Sequence, residues 1–229
     1  MKCVILQPSY IPWRGFFHQI WKADLFIFYD DVQYDKNGWR NRNRIKTSQG
    51  LQWLTIPVHT KGSVPEGTPI NQIKISWERP WNLHHWRGIQ FAYRKAPFFG
   101  KYIDYFSEVF GRKPEFLSNF TIQTTIDLAR FLGISHTKFI RSSEIDSIEG
   151  EKTDRLISIL KKVGADYYIS GPSAKDYIEK DKFDAAGIKL EYMTYNYPEY
   201  EQLYPPFESQ VSIIDLLFMK GDDSLTFIR

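Results

Sequence analysis

Apolar and polar positions follow two different periods along the chain, and the change of period predicts where strands and helices lie. Short apolar runs at residues 2–7, which is β-branched, and 25–29 are typical of buried parallel strands. Between them, residues 15–23 place their apolar side chains at helical spacing. The opening of the chain therefore predicts a β-α-β unit.

The rest of the chain continues this alternation, with one interruption. Further strands are predicted over residues 44–47, 51–58, 70–76, 137–141, 166–170 and 188–192. The first two should form a hairpin about the turn Ser48-Gln49-Gly50, and the Gly- and Pro-rich residues 59–69 a loop.

Helices are predicted over residues 80–93, 97–110, 114–133, 151–163, within 171–185, and over 211–219. The first three each begin near a proline and follow one another without a strand. The predicted fold class is therefore α/β, with a mainly parallel Rossmann-like sheet, a β-hairpin and an inserted helical group. We expect a single domain over residues 1–229, with the helical insertion at about 79–133.

Composition narrows the class of protein. The net charge of +3 and pI of about 8.7 permit an anionic ligand without pointing to nucleic acid. A single cysteine, Cys3, excludes an internal disulfide and a cysteine-based zinc cluster. No signal peptide or membrane span is visible, so we expect a cytoplasmic protein. His84 and His85 would diverge on a helix, and no metal site is predicted.

The first candidate site lies where the opening strand ends. Gln7, Tyr10 and Trp13 follow that strand, and ligands of open α/β sheets bind at the carboxyl ends of strands. An amide and a phenol can hydrogen-bond sugar hydroxyls, and an indole can stack on a pyranose or a base. The alternative is a proline-rigidified turn whose aromatic residues cap the core.

A second candidate site is the basic segment at residues 39–44, WRNRNR. In an extended chain its arginines and Lys46 would share one face, and guanidinium groups bind phosphate bidentately. The alternative is an edge strand protected by charge. With Gln33, the predicted substrate-binding residues here are Trp39, Arg40, Asn41, Arg42, Asn43 and Arg44.

Two further groups complete the predicted site. Asp30 and Asp31 follow the second strand, where one could act as a general base; the alternative is that both are turn residues. Gly171, Ser173 and Lys175 lie between a strand and a helix, where backbone N–H groups could bind phosphate. They would form a second wall of the cleft.

Several blocks of sequence together resemble the WbqC-like protein family. They are QPSYIPWRG at residues 7–15, DDVQY at 30–34, WRNRN at 39–43, WLTIPV at 53–58, YRKAP at 93–97, RSSE at 141–144, YISG at 168–171 and SIIDLL at 212–217. The resemblance covers essentially the whole chain. It implies a place in bacterial O-antigen or other surface-polysaccharide (lipopolysaccharide) biosynthesis, without naming a reaction.

The resemblance and the candidate residues together suggest an enzyme that modifies a nucleotide-linked sugar. The predicted reaction is acyl or aminoacyl transfer to a sugar amine, with a CoA or carrier-protein thioester as donor. No cofactor is identified, and no Ser-His or Cys-His pair is legible, so direct attack by the substrate amine is expected. The alternative to an enzyme is a non-catalytic module that binds single-stranded nucleic acid or a polysaccharide-assembly partner.

A second resemblance is to nucleotidylyltransferase-type α/β enzymes such as pantothenate synthetase. Pro8, Gly15 and Gln33-Tyr34 occupy comparable places. The histidines that bind ATP phosphates in those enzymes are replaced here by Trp13 and Phe16. If the protein is an enzyme, the alternative to acyl transfer is therefore a nucleotidylyl-transfer or ligase-type activity with Mg²⁺.

Overall fold

A computed structural model of the chain describes residues 1–59 and 67–229. Its strands are β1 (Lys2–Leu6), β2 (Leu25–Phe28), β3 (Arg42–Thr47), β4 (Gly50–Thr55), β5 (Lys138–Arg141), β6 (Tyr167–Ser170) and β7 (Lys189–Tyr192). Five of them form a parallel sheet in the order β5-β2-β1-β6-β7. The remaining two, β3 and β4, pair as an antiparallel hairpin.

The helices are α1 (Arg14–Lys22), α2 (Trp81–Tyr93), α3 (Phe99–Gly111), α4 (Leu117–Phe131), α5 (Lys152–Lys162), α6 (Lys180–Ala185) and α7 (Ile213–Lys220). In chain order, α2, α3 and α4 stand between the hairpin and β5. The predicted fold class is confirmed, and the extent of the single domain stays a prediction. In the part of the chain that the structure describes, each helix is too short or too polar to cross a membrane.

Two hydrophobic cores lie on opposite faces of the parallel sheet, because successive side chains of a strand point to opposite sides. Val4 and Phe26 pack into the larger core, with the inserted helices and α7. Cys3 and Ile27 pack into the smaller core, with α5 and α6. Burial raises the pKa of the Cys3 thiol to about 12, so this residue is an inert part of the core.

The prediction of a strand over residues 70–76 is wrong. Ile70–Gln72 forms a 3₁₀ turn, followed only by isolated bridges from Lys74 to Phe116 and from Ile75 to Val58. The buried isoleucines at 70 and 73 are three residues apart, which suits a 3₁₀ turn and not an alternating strand. Most of the loop predicted over 59–69 lies outside the described residues.

The strand order places a crevice in the centre of the sheet. From β1 the chain proceeds to β2 on one side, and it later returns to place β6 on the other side of β1. The loops that leave β1 and β6 therefore diverge, and the space between them is where open α/β sheets bind their ligands.

The hairpin is fastened to the loop that leaves β1. The amide Nδ2 of buried Asn43, in β3, donates to the carbonyl oxygens of Tyr10 and Ile11 at 3.0 and 2.8 Å. Ile11 has a φ of 36°, a strained conformation for a β-branched residue. Arg40 Nη1 also donates to the Gln7 carbonyl at 3.1 Å. These bonds bring the hairpin against the mouth of the crevice.

We expect Asn43→Ala to lower the free energy of unfolding by about 2–4 kcal/mol, because two buried carbonyls lose their donor. Urea denaturation measures this change. Asn119→Ala is the control: Asn119 is exposed, with one hydrogen bond to Arg141, and its loss should cost below about 1 kcal/mol. Equal losses in the two variants would contradict the role of Asn43.

Candidate functional site

A cavity of about 580 Å³ opens between the carboxyl ends of β1 and β6. This volume lies in the range of about 300–1,000 Å³ that is usual for small-molecule sites. Its polar lining is Gln7, Ser9, Gln19, Arg40, Asn43, Tyr168, Ser170, Ser173, Tyr177, Tyr195 and Gln210, and Trp13, Phe16 and Trp39 contribute aromatic rings. A concave site with a few convergent polar groups is the expected form of a ligand site.

Arg40 brings positive charge to this cavity. Its side chain is 13% exposed, and its Nε lies 3.4 Å from Asp35 Oδ1, an ion-pair contact and not a well-formed hydrogen bond. Burial lowers the pKa of the Arg40 guanidinium, and Asp35 opposes that shift. The group still keeps its charge at neutral pH, since an arginine pKa begins above 12. A poorly solvated cation in a cavity is suited to an anionic ligand.

Trp13, the residue before helix α1, contributes an aromatic ring to the cavity wall. Its ring meets Tyr195 edge to face, with ring centroids 5.0 Å apart. The indole lies directly over Gly15, where a Cβ atom would overlap the ring. Gly15 therefore permits the position of the Trp13 ring.

Gln19 and Tyr195 form a polar pair in the same cavity. Gln19 Nε2 donates to Tyr195 Oη at 2.9 Å. Burial raises the pKa of Tyr195 to about 12, and the bond from Gln19 opposes that shift. The phenol is therefore neutral at physiological pH.

The structure brings about half of the sequence-predicted site residues together. Those that line the cavity are Gln7, Trp13, Trp39, Arg40, Asn43, Gly171 and Ser173. The β1 loop, the basic segment and the β6 loop therefore share one hollow.

The other predicted binding residues lie elsewhere. Tyr10 is fully buried and its hydroxyl pairs with His85 Nδ1 at 2.9 Å, so it belongs to the core. The other five predicted residues also have partners outside the cavity lining or on its rim.

Asn41 Nδ2 donates to the Ile56 carbonyl, and Gln33 forms a β-bridge with Pro69. Arg42 donates to the Asn37 carbonyl and lies over the Trp53 ring, while Arg44 donates to Gln210 and lies over the rings of Trp39 and Trp53. Lys175 lies over the Tyr192 ring.

The cations of the basic segment therefore divide among three places. Arg40 faces the cavity, while Arg42 and Arg44 stack on exposed tryptophans. Lys46 is buried and donates to Gln202 Oε1 at 2.8 Å. The segment does not form one continuous cationic face, because it becomes β-strand only at residue 42. Arg42 and Arg44 share the Trp53 ring, whereas Arg40, which precedes the strand, lines the cavity.

Asp30 and Asp31 lie outside the cavity lining and join β2 to β5. Buried Asp30 accepts from the backbone N and Oγ of Ser143 at 3.1 and 3.0 Å. Asp31 accepts from Ser142 Oγ and from Arg155 Nη2 at 2.5 and 2.7 Å. Burial raises the pKa of Asp30, and the bonds from Ser143 oppose the shift. These contacts favour an architectural role.

Sequence reasoning missed Gln19, Tyr195 and Gln210. The sequence does contain a sign that Gln19 is unusual. It is a polar residue three positions after Phe16 and next to Ile20, so helical spacing places it on the apolar face of α1 that becomes buried. Tyr195 and Gln210 belong to the irregular segment between β7 and α7, where no periodicity marks a side chain.

Acidic and histidine side chains are not among the lining residues that the structure describes. Across residues 1–59 and 67–229, no group of three or more His, Cys, Asp or Glu side chains could hold a metal ion. The chemistry that the described lining offers is therefore cation, amide, hydroxyl and aromatic contact.

Fold and cavity together define a Rossmann-like α/β protein with a cavity at the reversal of its strand order. The chain belongs to the WbqC-like protein family, whose model matches residues 7–227. It is similar to the uncharacterized protein Rv1507c of Mycobacterium tuberculosis (strain ATCC 25618 / H37Rv), with 40% identity over 230 residues that cover 100% of this chain and 97% of that protein. No solved structure matches the chain.

We expect Gly15→Ala to destabilise the protein by about 1–3 kcal/mol, because the new methyl group overpacks against the Trp13 ring. Tryptophan fluorescence should shift as the ring moves, and urea denaturation gives the free energy. The matched control is Gly100→Ala in helix α3, where a Cβ meets open space and alanine should be neutral or stabilising by up to about 1 kcal/mol. A stabilised Gly15→Ala protein with unchanged fluorescence would contradict this packing.

We expect Asp30→Ala to lower the free energy of unfolding by about 2–4 kcal/mol, since the buried donors of Ser143 lose their acceptor. Asp31→Ala should cost less, about 1–2 kcal/mol, because its ion pair with Arg155 is partly exposed and only the hydroxyl of buried Ser142 loses an acceptor. Denaturant unfolding compares the two variants. A fully stable Asp30→Ala protein that has lost ligand turnover would restore Asp30 as a general base.

Proposed function

We propose that this protein is an enzyme of bacterial surface-polysaccharide (O-antigen) biosynthesis that binds a nucleotide-linked amino sugar in the cavity between β1 and β6. Its reaction is the transfer of an acyl or aminoacyl group to the sugar amine. The observation that supports this most is the charge of the cavity. Arg40 is positive, and no carboxylate stands among the described lining residues; its ion-pair partner Asp35 lies outside the lining, at 3.4 Å from Nε.

The diphosphate is assigned to Arg40 and the hydroxyls of Ser170 and Ser173. A guanidinium fork matches phosphate oxygens in geometry and charge. Ser170, the last residue of β6, and Ser173, in the loop after it, line the same cavity as Arg40. The rings of Trp13 and Trp39 are available to the sugar or the base.

The transfer step is direct attack by the sugar amine on an acyl or aminoacyl thioester of CoA or a carrier protein. The amine nitrogen forms a bond to the acyl carbon, the C–S bond breaks, and the thiolate leaves with the electron pair of that bond. The nitrogen then loses a proton, which the thiolate or solvent takes up. No side-chain nucleophile and no carboxylate base are needed.

The charge of the cavity promotes this attack. An amine is nucleophilic only when it is unprotonated, and a nearby cation together with poor solvation lowers an amine pKa. Arg40 supplies the cation, and the described lining has no carboxylate to stabilise an ammonium group. The substrate amine would therefore be in its reactive form near neutral pH.

One observation favours a second candidate function. Trp39 and Trp53 are 42% and 46% exposed and stack with centroids 5.4 Å apart, and Arg42 and Arg44 lie over the rings. Exposed aromatic rings beside arginines suit the stacking of bases from single-stranded nucleic acid. This function requires an affinity that falls steeply with salt concentration.

We expect Arg40→Ala to weaken nucleotide-sugar binding by about 1.5–3 kcal/mol, the range for a hydrogen bond to a charged group. Isothermal titration calorimetry against UDP-, dTDP-, GDP- and CMP-linked sugars measures the effect. Arg42→Ala is the matched control, because Arg42 lies outside the lining and should leave this affinity within about 0.5 kcal/mol.

Binding of a single-stranded oligonucleotide separates the two candidate functions in the same variants. If the stacked tryptophans form the binding site, Arg42→Ala should weaken binding of the oligonucleotide, and Arg40→Ala should leave that binding unchanged. Nucleotide-sugar affinity that is unchanged in Arg40→Ala would contradict the proposed function.

A further inference from the structure

Gln19 has a buried acceptor that its neighbours leave unpaired. The residue is 4% exposed and lines the cavity. Its Nε2 is used by the bond to Tyr195, but its Oε1 has no hydrogen-bond partner within residues 1–59 and 67–229. A buried polar atom without a partner costs about 1–3 kcal/mol, so such an atom at a cavity marks a place where a ligand can donate.

Tyr195 supplies the complementary group. Its oxygen accepts from Gln19, so its own hydrogen is directed elsewhere, and no described side chain accepts it. The burial of this phenol maintains the hydroxyl in its protonated form. One unpaired acceptor and one available donor therefore belong to two hydrogen-bonded residues that line the cavity.

The surroundings of the pair suit a sugar ring. The Trp13 indole lies 5.0 Å from the Tyr195 ring, centroid to centroid. Gly171, at the end of β6, leaves space beside the phenol, since a Cβ there would lie 3.8 Å from Tyr195 Oη. Both neighbours line the cavity. Indole and polar side chains together are the usual surroundings of a bound pyranose.

We propose that Gln19 and Tyr195 form a specificity-determining subsite that recognises one uncharged group of the sugar, a hydroxyl or an unprotonated amine. Such a group can donate to Gln19 Oε1 and accept from Tyr195 Oη with the same atom. For an amine, the bond from Tyr195 occupies the single lone pair, so this is the binding state, and the bond breaks before the amine attacks the thioester. An ammonium group cannot accept and a phosphate ester dianion cannot donate, so each leaves one member of the pair unsatisfied. This inference rests on the proposed function and adds the chemistry by which the sugar is chosen.

The test compares Gln19→Met and Tyr195→Phe with the parent protein by calorimetry. The ligands are UDP and dTDP, and their glucosyl and 2-amino-2-deoxyglucosyl esters. Each variant should lose about 10–100-fold in affinity for the sugar-bearing ligands, the effect of one buried hydrogen bond. Affinity for the free diphosphates should be unchanged. Tyr197→Phe is the control, because Tyr197 pairs with His18 outside the cavity lining.

The pH dependence gives a readout that a structural role would not produce. In the parent protein, affinity for the amino-sugar ester should rise between pH 6 and pH 9, as its amine loses a proton. The glucosyl ester should show no such rise. In Gln19→Glu a carboxylate faces the amine, so the rise should be abolished or reversed.

Three outcomes would overturn the subsite. They are sugar-ester affinity that is equal in the variants and the parent, equal weakening of free diphosphates and sugar esters, and a pH profile that Gln19→Glu leaves unchanged. Parent protein that binds no diphosphate and no sugar ester contradicts the proposed function instead. In that case methyl glucoside and methyl glucosaminide are titrated against the protein by NMR. Binding to the parent that is lost in Gln19→Met supports the subsite. Absence of binding to the parent overturns the subsite.

Discussion

One buried asparagine connects the two halves of the candidate site. Asn43 lies in the hairpin, yet its amide donates to two carbonyls of the loop that leaves β1. The same loop contains Ile11 in a strained conformation, which persists only where its surroundings oppose relaxation. The hairpin also packs Ile45 and Leu54 into the larger core, so Asn43 acts on its position and not on its attachment alone. Together with the bonds from Tyr10 N–H to the Trp39 carbonyl and from Arg40 to the Gln7 carbonyl, Asn43 holds residues 39 and 40 at the crevice of the sheet.

Much of the fold follows from local patterns in the sequence. Short β-branched runs, helical spacing and proline at helix starts locate all but one of the predicted elements to within a few residues. The exception is the segment at residues 70–76, where apolar and polar residues intermingle as in a strand, although the first two isoleucines have the three-residue spacing of a 3₁₀ turn and the backbone bonds to loops. Its hydrogen bonds depend on distant residues such as Asp30 and Glu115, which no local pattern reveals.

The candidate site can be predicted less completely from the sequence, for a physical reason. Strand ends can be placed from sequence, so the meeting of Gln7 and Gly171 could be predicted, whereas the position of Arg40 depends on contacts between the hairpin and the β1 loop. The direction of each side chain depends on partners that are far away in the chain. Tyr10 turns into the core toward His85, and Arg42 turns out over Trp53. Tyr195 enters the cavity from a segment without periodicity, so nothing in its sequence marks it.

The central claim is that ligand binds between the ends of β1 and β6, against Arg40 and Trp13. A crystal structure of the protein grown with the tightest-binding nucleotide sugar tests this most directly. The account predicts density between Gln7 and Gly171, with the diphosphate within hydrogen-bond distance of the Arg40 guanidinium. Ligand seated on the outer face of Trp53, with the crevice filled only by solvent, would contradict it.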